Sequence, residues 1–291
     1  MSLRLIARIH PAIRDDIADL TTRRPLPSAS LSDLDPFLFL NHHGPQIYPQ
    51  QNRGLPFGPH PHRGFETVTF ILAGDIAHRD SAGGESVIDA GGVQWMSAGR
   101  GLVHSEVSSD RFKKNGGGLE ILQLWVNLPA KLKMIAPSYI GQQRDELTRF
   151  TSPDGRSQIT LVCGALLGFE SYRGTVKTNY PITLALMSCQ ANAGLQLRLP
   201  AAQTVFFYVV SGDVEINGKS VSNFHLIEFE QMPKIEDDQD EVEVRVSSSA
   251  VFLVGHARPF KEPIVSHGPF VMNTREEIIA ATEDFQSGKL R

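Results

Sequence analysis

The sequence predicts an all-β chain of two tandem barrels closed by a short C-terminal helix. Short extended runs outnumber helical ones, and glycine pairs mark the turns between them. Residues 70–76 (F-I-L-A-G-D-I) are echoed by residues 208–214 (Y-V-V-S-G-D-V), at an offset of 138 positions. Because closure into a barrel removes the exposed edges of such strands, we expect one barrel in each half of the chain.

The strands of the first half are indicated by their side-chain patterns. Residues 65–72 are rich in β-branched and aromatic side chains and run into an Ala-Gly-Asp turn, and alternate residues of 122–128 are apolar. Trp95 and Trp125 fall in such runs and are expected in the core.

Composition and charge exclude several classes of function. The 291 residues are 41% hydrophobic and 21% charged, as in ordinary globular proteins. The net charge of −4 provides no basic surface for direct nucleic-acid binding, so any transcriptional role would act through a protein partner. No apolar run approaches the roughly 18 residues of a membrane helix, and Cys163 and Cys189 are expected to be buried reduced thiols. We therefore expect a soluble cytoplasmic protein, and we take a monomer as the default.

Two pairs of polar residues in the first half predict a metal site. His60 and His62 are separated by one residue, as are His104 and Glu106, so each pair points to one face of a strand. Three imidazoles and a carboxylate, without thiolates, suit iron, manganese, nickel, zinc or copper. Four protein ligands on an octahedral ion leave two open positions, which is typical of catalysis.

The segments around these pairs resemble known motifs. Gly54–Glu66 (G-L-P-F-G-P-H-P-H-R-G-F-E) resembles the first cupin motif, and residues 99–104 resemble the second, with Gly99 in place of the usual proline. Four segments together closely resemble the pirin family: H-P-H-R-G-F-E-T-V-T (60–69), Q-W-M-S-A-G-R-G-L-V-H-S-E (94–106), L-Q-L-W-V-N (122–127) and H-G-P-F-V-M-N-T (267–274). This resemblance implies two tandem cupin-type barrels, that is, double-stranded β-helix or jelly-roll folds.

The resemblance also implies the identity of the ligands. By their positions in the pirin motifs, His60, His62, His104 and Glu106 are expected to bind one divalent ion, Fe(II) before Mn, Ni, Zn or Cu. Glu66 is the carboxylate ligand of an ordinary cupin. Here it is expected to hydrogen-bond beside the ligands instead.

Three residues flank the ligand segment and are candidates for a substrate pocket: Phe57, Arg63 and Phe65. Arg63 suits a structural ion pair equally well, and Phe65 suits the core.

Two functions are compatible with this resemblance. Some pirin relatives resemble quercetin 2,3-dioxygenases, which would make the chain a metal-dependent dioxygenase acting on O₂ and a small flavonol-like substrate, with Glu106 accepting the hydroxyl proton. The alternative is a non-enzymatic, iron-dependent redox-sensing regulator that acts through protein partners.

The second half is expected to lack a metal. We assign residues 1–133 to the metal-binding domain, 134–145 to a linker and 146–291 to the second domain. The offset of 138 places Arg198 and Pro200 where the first half has His60 and His62. Thr274 is a plausible N-cap for the C-terminal helix of this domain, and the acidic residues 236–241 are expected to form a solvated loop.

Overall fold

The computed structural model describes residues 2–231 and 238–290, and it confirms a mostly β chain with a short C-terminal helix. The first twelve strands are β1 Ile6–Pro11, β2 Ile13–Arg14, β3 Thr22–Leu26, β4 Phe37–Tyr48, β5 Phe57–His62, β6 Phe65–Ala73, β7 Asp75–Asp80, β8 Glu85–Asp89, β9 Val93–Ser97, β10 Leu102–Val107, β11 Gly117–Asn127 and β12 Ser138–Gln142. The remaining strands are β13 Thr148–Thr151, β14 Ser157–Cys163, β15 Ile182–Cys189, β16 Ala193–Pro200, β17 Thr204–Ser211, β18 Val214–Ile216, β19 Lys219–Val221, β20 His225–Phe229, β21 Gln239–Val246, β22 Ala250–Ala257, β23 Val265–His267 and β24 Phe270–Met272. The helices are α1 Asp110–Asn115 and α2 Arg275–Gln286, with 3-10 turns at Ala130–Leu132 and Arg144–Glu146.

The first barrel is a compact unit formed by Arg14–Pro27, Asp35–Asp145 and Phe260–Arg291. Its seven-stranded sheet has the order β12-β9-β6-β11-β4-β3-β2, and its four-stranded sheet has the order β5-β10-β7-β8. The β23-β24 hairpin and α2 also belong to this unit.

The second barrel is formed by Met1–Ile13, Ser28–Leu34 and Glu146–Pro259. Its sheets have the orders β1-β20-β17-β22-β15-β14-β13 and β16-β21-β18-β19. Apolar side chains of both sheets fill its interior, with Phe207, Phe252 and Val254 completely buried.

The grouping of segments differs from the expected domain boundaries. The expected linker, 134–145, contains β12, which pairs with β9 in the first barrel. The N-terminal strand β1 pairs with β20 in the second barrel, whereas residues 260–291 belong to the first. Long-range strand pairing and apolar burial decide these memberships, and neither leaves a local signal in the sequence. The acidic segment 236–241 was expected to form a solvated loop. Residues 236 and 237 lie outside the described part of the chain, and residues 239–241 belong to strand β21.

Side-chain alternation explains how the interior of the first barrel is built. Two neighbouring cross-strand pairs of β6 and β11 point into the barrel. The pair Ile71–Ile121 is apolar, and the next pair along the strands, Thr69–Gln123, is polar. β10 alternates between buried and half-buried residues, which directs His104 and Glu106 inward. One end of the interior is therefore apolar, and the other carries polar side chains.

Helix α2 is fixed at its start by a capping box. The Thr274 hydroxyl accepts a hydrogen bond from the Glu277 amide, and the Glu277 carboxylate accepts one from the Thr274 amide. Thr274 is thus confirmed as the N-cap. Ile278 and Ala281 are buried against Phe270 of β24, which anchors the helix on the hairpin.

Within the described residues, no helix has the length and apolar character needed to cross a membrane.

Candidate metal centre

Antiparallel pairing of β5 with β10 brings the two predicted pairs together. His104 lies directly opposite His60, and Leu102 lies opposite His62. A register shift follows His104, so that Glu106 lies opposite Phe57. The extra residue lies on β5, because β10 pairs with β7 without a shift, so His104 and Glu106 stay on the same face of β10.

The three histidines converge at the polar end of the first barrel. One ring nitrogen from each of His60, His62 and His104 lies within 4.8 Å of the other two, and the ring centroids are 4.4 to 4.9 Å apart. His62 and His104 are buried, and His60 is half-buried. His60 is therefore the most solvent-exposed member of the cluster.

Backbone carbonyls orient two of the imidazoles. Nδ1 of His60 lies 2.8 Å from the Gly58 carbonyl oxygen, and Nδ1 of His62 lies 3.3 Å from that of Pro269. Because a carbonyl oxygen only accepts, each Nδ1 carries the proton and each Nε2 keeps its lone pair. This is the usual way in which a protein presents Nε2 to a metal.

His104 gives the clearest sign of a missing partner. It is 1% exposed, and neither of its ring nitrogens has a hydrogen-bond partner among the described residues. Burial lowers the pKa of His104 well below its usual value, and His62, His60 and His78 lower it further. Burial also lowers the pKa of His62 to about 3. The cluster thus consists of neutral imidazoles, the form that binds metal.

The Glu106 carboxylate is buried at the level of Thr69 and Gln123 in the first barrel. Its Oε1 accepts a hydrogen bond of 3.0 Å from the Thr69 hydroxyl, and its Oε2 accepts one of 2.6 Å from the Gln123 amide. Burial raises the pKa of Glu106 to about 7, against the opposing effect of these two donors. The structure does not include Glu106 in the histidine cluster, so its place as the fourth ligand stays a prediction.

Glu66, the competing carboxylate, lies on β6, where its side chain points to the opposite face from those of Thr67 and Thr69. It is completely buried, and its Oε1 accepts a hydrogen bond of 2.5 Å from the Ser97 hydroxyl on β9. Alternation along β6 therefore directs Glu66 to the face opposite the one from which Thr69 reaches Glu106.

Aromatic rings line one side of the cluster. The Trp125 ring centroid lies 5.4 Å from that of His62 and 4.4 Å from that of Phe65, and Phe39 stacks on Trp125 at 4.6 Å. The indole Nε1 is buried and has no partner among the described residues. Trp125 is half-buried, so it contributes to the site as well as to the core in which it was expected.

The three predicted pocket residues have different surroundings. Phe65 is fully buried beside His62, while Phe57 is half-buried and packs on the apolar interior, 5.2 Å from the His43 ring. The Arg63 guanidinium donates to the Arg100 carbonyl and to Asp284 of α2 at 3.0 Å. Arg63 therefore forms the ion pair that was one of its two expected roles.

A second polar group beside the cluster was not anticipated. His78 lies opposite Glu106 on β7, with its ring centroid 5.4 Å from that of His104. Its Nε2 bonds Asp80 at 2.8 Å, and its ring stacks on Tyr139. The available signal was the spacing of His78 and Asp80, which are separated by one residue, as are the members of the two predicted ligand pairs.

The C-terminal segment completes the wall behind His62. Residues 269–271 run beside Arg63 and Gly64 through hydrogen bonds from Val271 to Arg63 and from Arg63 to Pro269. Gly64 has φ of +87°, and a Cβ there would lie 2.0 Å from the Val271 carbonyl oxygen. Only glycine permits this close approach.

The comparisons with known proteins agree with this architecture. A family model described as Pirin matches residues 19–126, and one described as Pirin C-terminal cupin domain matches residues 184–291. The chain belongs to the pirin family. As for other pirins, the fold consists of two cupin barrels, which confirms the class expected from the sequence.

Relatives of this pirin carry two kinds of name. A Pseudomonas aeruginosa protein with the provisional name quercetin 2,3-dioxygenase is 36% identical over 88% of this chain and 86% of its own length. Human pirin is 34% identical over 92% of this chain and 87% of its own.

Two solved structures extend the comparison. The structure of a quercetin 2,3-dioxygenase from Acinetobacter baumannii has a TM-score of 0.88 at 29% identity and covers 99% of both chains. A bacterial pirin from Escherichia coli, solved in complex with nickel(II), has a TM-score of 0.65 at 20% identity, over 87% of this chain and 99% of its own, and shows the shared fold.

Proposed function

We propose that this pirin is a metal-dependent dioxygenase that opens the ring of a flavonol such as quercetin with O₂ and releases carbon monoxide. The observation that carries the proposal is the convergence of three neutral imidazoles, with both ring nitrogens of His104 lacking a partner among the described residues. The similarity to the Acinetobacter and Pseudomonas proteins supports the choice of reaction.

The residues fit a divalent ion. We assign Nε2 of His60, Nε2 of His62 and one ring nitrogen of His104 as ligands, with Glu106 as the fourth and Fe(II) as the first choice of ion over Mn, Ni, Zn or Cu. Imidazole and carboxylate ligands accept all of these metals. A bound ion would supply Lewis-acid activation of the flavonol anion toward oxygen.

The chain's own residues would bind the substrate and take up its proton. The edge of Trp125 and the rings stacked beside it present an apolar wall to a planar aromatic molecule and exclude water from the site. Glu106 would accept the flavonol hydroxyl proton on a carboxylate oxygen. Thr69 and Gln123 hold that carboxylate in place across the barrel, which keeps the proton acceptor fixed during the reaction.

Anaerobic mixing of the metal-loaded protein with quercetin, followed by oxygen, tests the proposal. We expect loss of the flavonol absorbance, a depside product and an equal amount of carbon monoxide. His104→Ala should abolish all three, whereas His267→Ala, at an exposed position outside the cluster, should leave them unchanged.

Metal binding without turnover of quercetin or related flavonols would contradict the enzyme assignment. If partner affinity then differed between ferrous and ferric protein, the redox-sensing regulator would be the correct function.

A further inference from the structure

The second barrel contains a cavity of its own. It has a volume of about 560 Å³, within the range of small-molecule sites. The polar and charged side chains that line it include Arg173, Lys177, Thr183, Gln203 and His256. A single water occupies about 30 Å³ of liquid, so this cavity has room for an organic molecule.

The cavity lies at the position in its barrel that the candidate metal site occupies in the first. His256 on β22 pairs with Val205 on β17, as Trp125 on β11 pairs with Thr67 on β6. Val205 and Thr67 are related by the internal offset of 138 residues. His256 thus takes the register position of Trp125, the ring that lines the histidine cluster.

His256 is a buried group with one unused nitrogen. It is 4% exposed, and its Nδ1 lies 2.7 Å from the Gln203 side-chain oxygen. That oxygen only accepts, so Nδ1 carries the proton. Nε2 is buried and has no partner among the described residues. Burial, and then the nearby Arg4 charge, lower the pKa of His256 to about 4, which leaves Nε2 as a neutral acceptor.

The charged side chains that line the cavity are all cationic. Lys177 and Arg173 are exposed on its lining, and no acidic side chain lines it among the described residues. Arg4 lies behind the wall, donates to the backbone carbonyls of Pro200 and Gln203 at 3.0 and 2.6 Å, and pairs with the buried Asp240 carboxylate at 3.9 Å, so it adds no net charge there. In a chain of net charge −4, this local excess of cations favours an anionic ligand.

We propose that the second barrel binds a small carboxylic acid that carries a hydroxyl group. The hydroxyl donates to Nε2 of His256, which a small movement of the lining side chains uncovers, and the carboxylate lies against Lys177, with Arg173 as a second cation. One imidazole without a neighbouring carboxylate or thiolate does not make a metal site, and the two cations on the lining disfavour a metal ion further. The proposal does not depend on the reaction assigned to the first barrel.

Matched acids test both contacts on the full-length protein. Malate and succinate differ by one hydroxyl, as do 4-hydroxybenzoate and benzoate, and binding is measured by calorimetry and by ligand-observed NMR. We expect at least one hydroxy acid to bind about fivefold to tenfold more tightly than its partner, as one hydrogen bond provides. His256→Ala should remove that preference. Lys177→Gln should weaken both acids, whereas Lys219→Gln, an exposed lysine on β19, should have no effect.

A measurement on the unmodified protein tests the same contact without relying on the folding of His256→Ala. With ¹⁵N-labelled histidine, the hydroxy acid should shift the Nε2 resonance of His256, and its partner acid should not. The proposal is overturned if neither hydroxy acid binds at about 10 mM, a concentration at which weak complexes are measurable. It is also overturned if the paired acids bind equally, or if binding leaves the His256 resonance unmoved.

Discussion

His60 on β5 lies directly opposite His104 on β10, with the two ring centroids 4.4 Å apart. Cross-strand neighbours of this kind are the closest side chains in an antiparallel pair. The shared site therefore depends on the register of two strands, and a slip of one residue would turn one ring out of the barrel.

Loss of a histidine ligand should lower metal affinity sharply. We expect one ion per chain in the unmodified protein, and His62→Ala or His104→Ala should weaken binding by more than the roughly tenfold to hundredfold effect of losing a hydrogen bond that orients a ligand. Titration against a chelator, followed by elemental analysis, measures this. Full metal content in both variants would show that the histidines are not ligands.

Substitutions of Glu106 and Glu66 should have different effects on metal affinity in the same assay. Glu106→Gln keeps the shape of the side chain but removes its charge, and it should reduce metal affinity at least about tenfold. Glu66→Gln alters a carboxylate that Ser97 holds, and it should leave metal affinity within about twofold, since this side chain lies out of phase with the inward residues of β6. The opposite order would make Glu66 the ligand.

Tryptophan fluorescence should report occupancy of the site. The chain has two tryptophans, and Trp125 lies 5.4 Å from His62. A paramagnetic ion such as Cu(II) or Ni(II) bound by the histidines should quench the emission of a nearby indole. The quenching should persist in Trp95→Phe and disappear in Trp125→Phe. Equal quenching in both variants would place the ion elsewhere.

The Arg63–Asp284 pair should stabilise the first barrel. The Arg63 side chain is 6% exposed, so Arg63→Met removes its hydrogen bonds to the Arg100 carbonyl and to Asp284 and should lower the free energy of unfolding by about 2 kcal/mol. Lys289 contacts the same carboxylate but is 69% exposed, and Lys289→Gln should cost less than about 0.5 kcal/mol. Urea denaturation gives both values, and a loss below about 0.5 kcal/mol in Arg63→Met would argue against a structural role for Arg63.

Buried His43 should make stability fall in mild acid. Burial lowers the pKa of His43 to about 3, so between its unfolded value of 6.5 and that pH the unfolded chain binds a proton that the folded chain does not. Stability is therefore lost as the pH falls through this window, by about 2 kcal/mol at pH 5 from this residue.

Two variants isolate this contribution in urea unfolding at pH 7.5 and pH 5. His43→Gln should reduce the pH dependence by that amount. Thr22→Val, which removes the hydroxyl bonded to His43, should lower stability at both pH values and preserve the difference. A pH dependence that is the same in His43→Gln as in the original protein would show that His43 titrates normally.

The sequence predicted the parts of the site that depend on local periodicity. The placement of His60, His62 and His104 followed from alternation along two strands, and the internal offset indicated a second barrel. The Thr274 cap was also a local signal. What the sequence did not reveal were partners chosen by distant segments: the Pro269 carbonyl that bonds His62, the Gln123 amide on Glu106, and the union of β1 with the second barrel. Such partners depend on tertiary packing and leave no periodic pattern near either residue.

The Pro269 carbonyl that bonds His62 has a consequence for biosynthesis. His60 and His62 leave the ribosome early, but the hydrogen bond that fixes the His62 ring needs a residue made some two hundred positions later. Until then His62 can rotate, and its Nδ1 can compete with Nε2 for an ion. Correct metal loading should therefore follow completion of the chain, and a ribosome-bound nascent chain that ends before residue 260 should bind metal less tightly and less selectively than the finished protein.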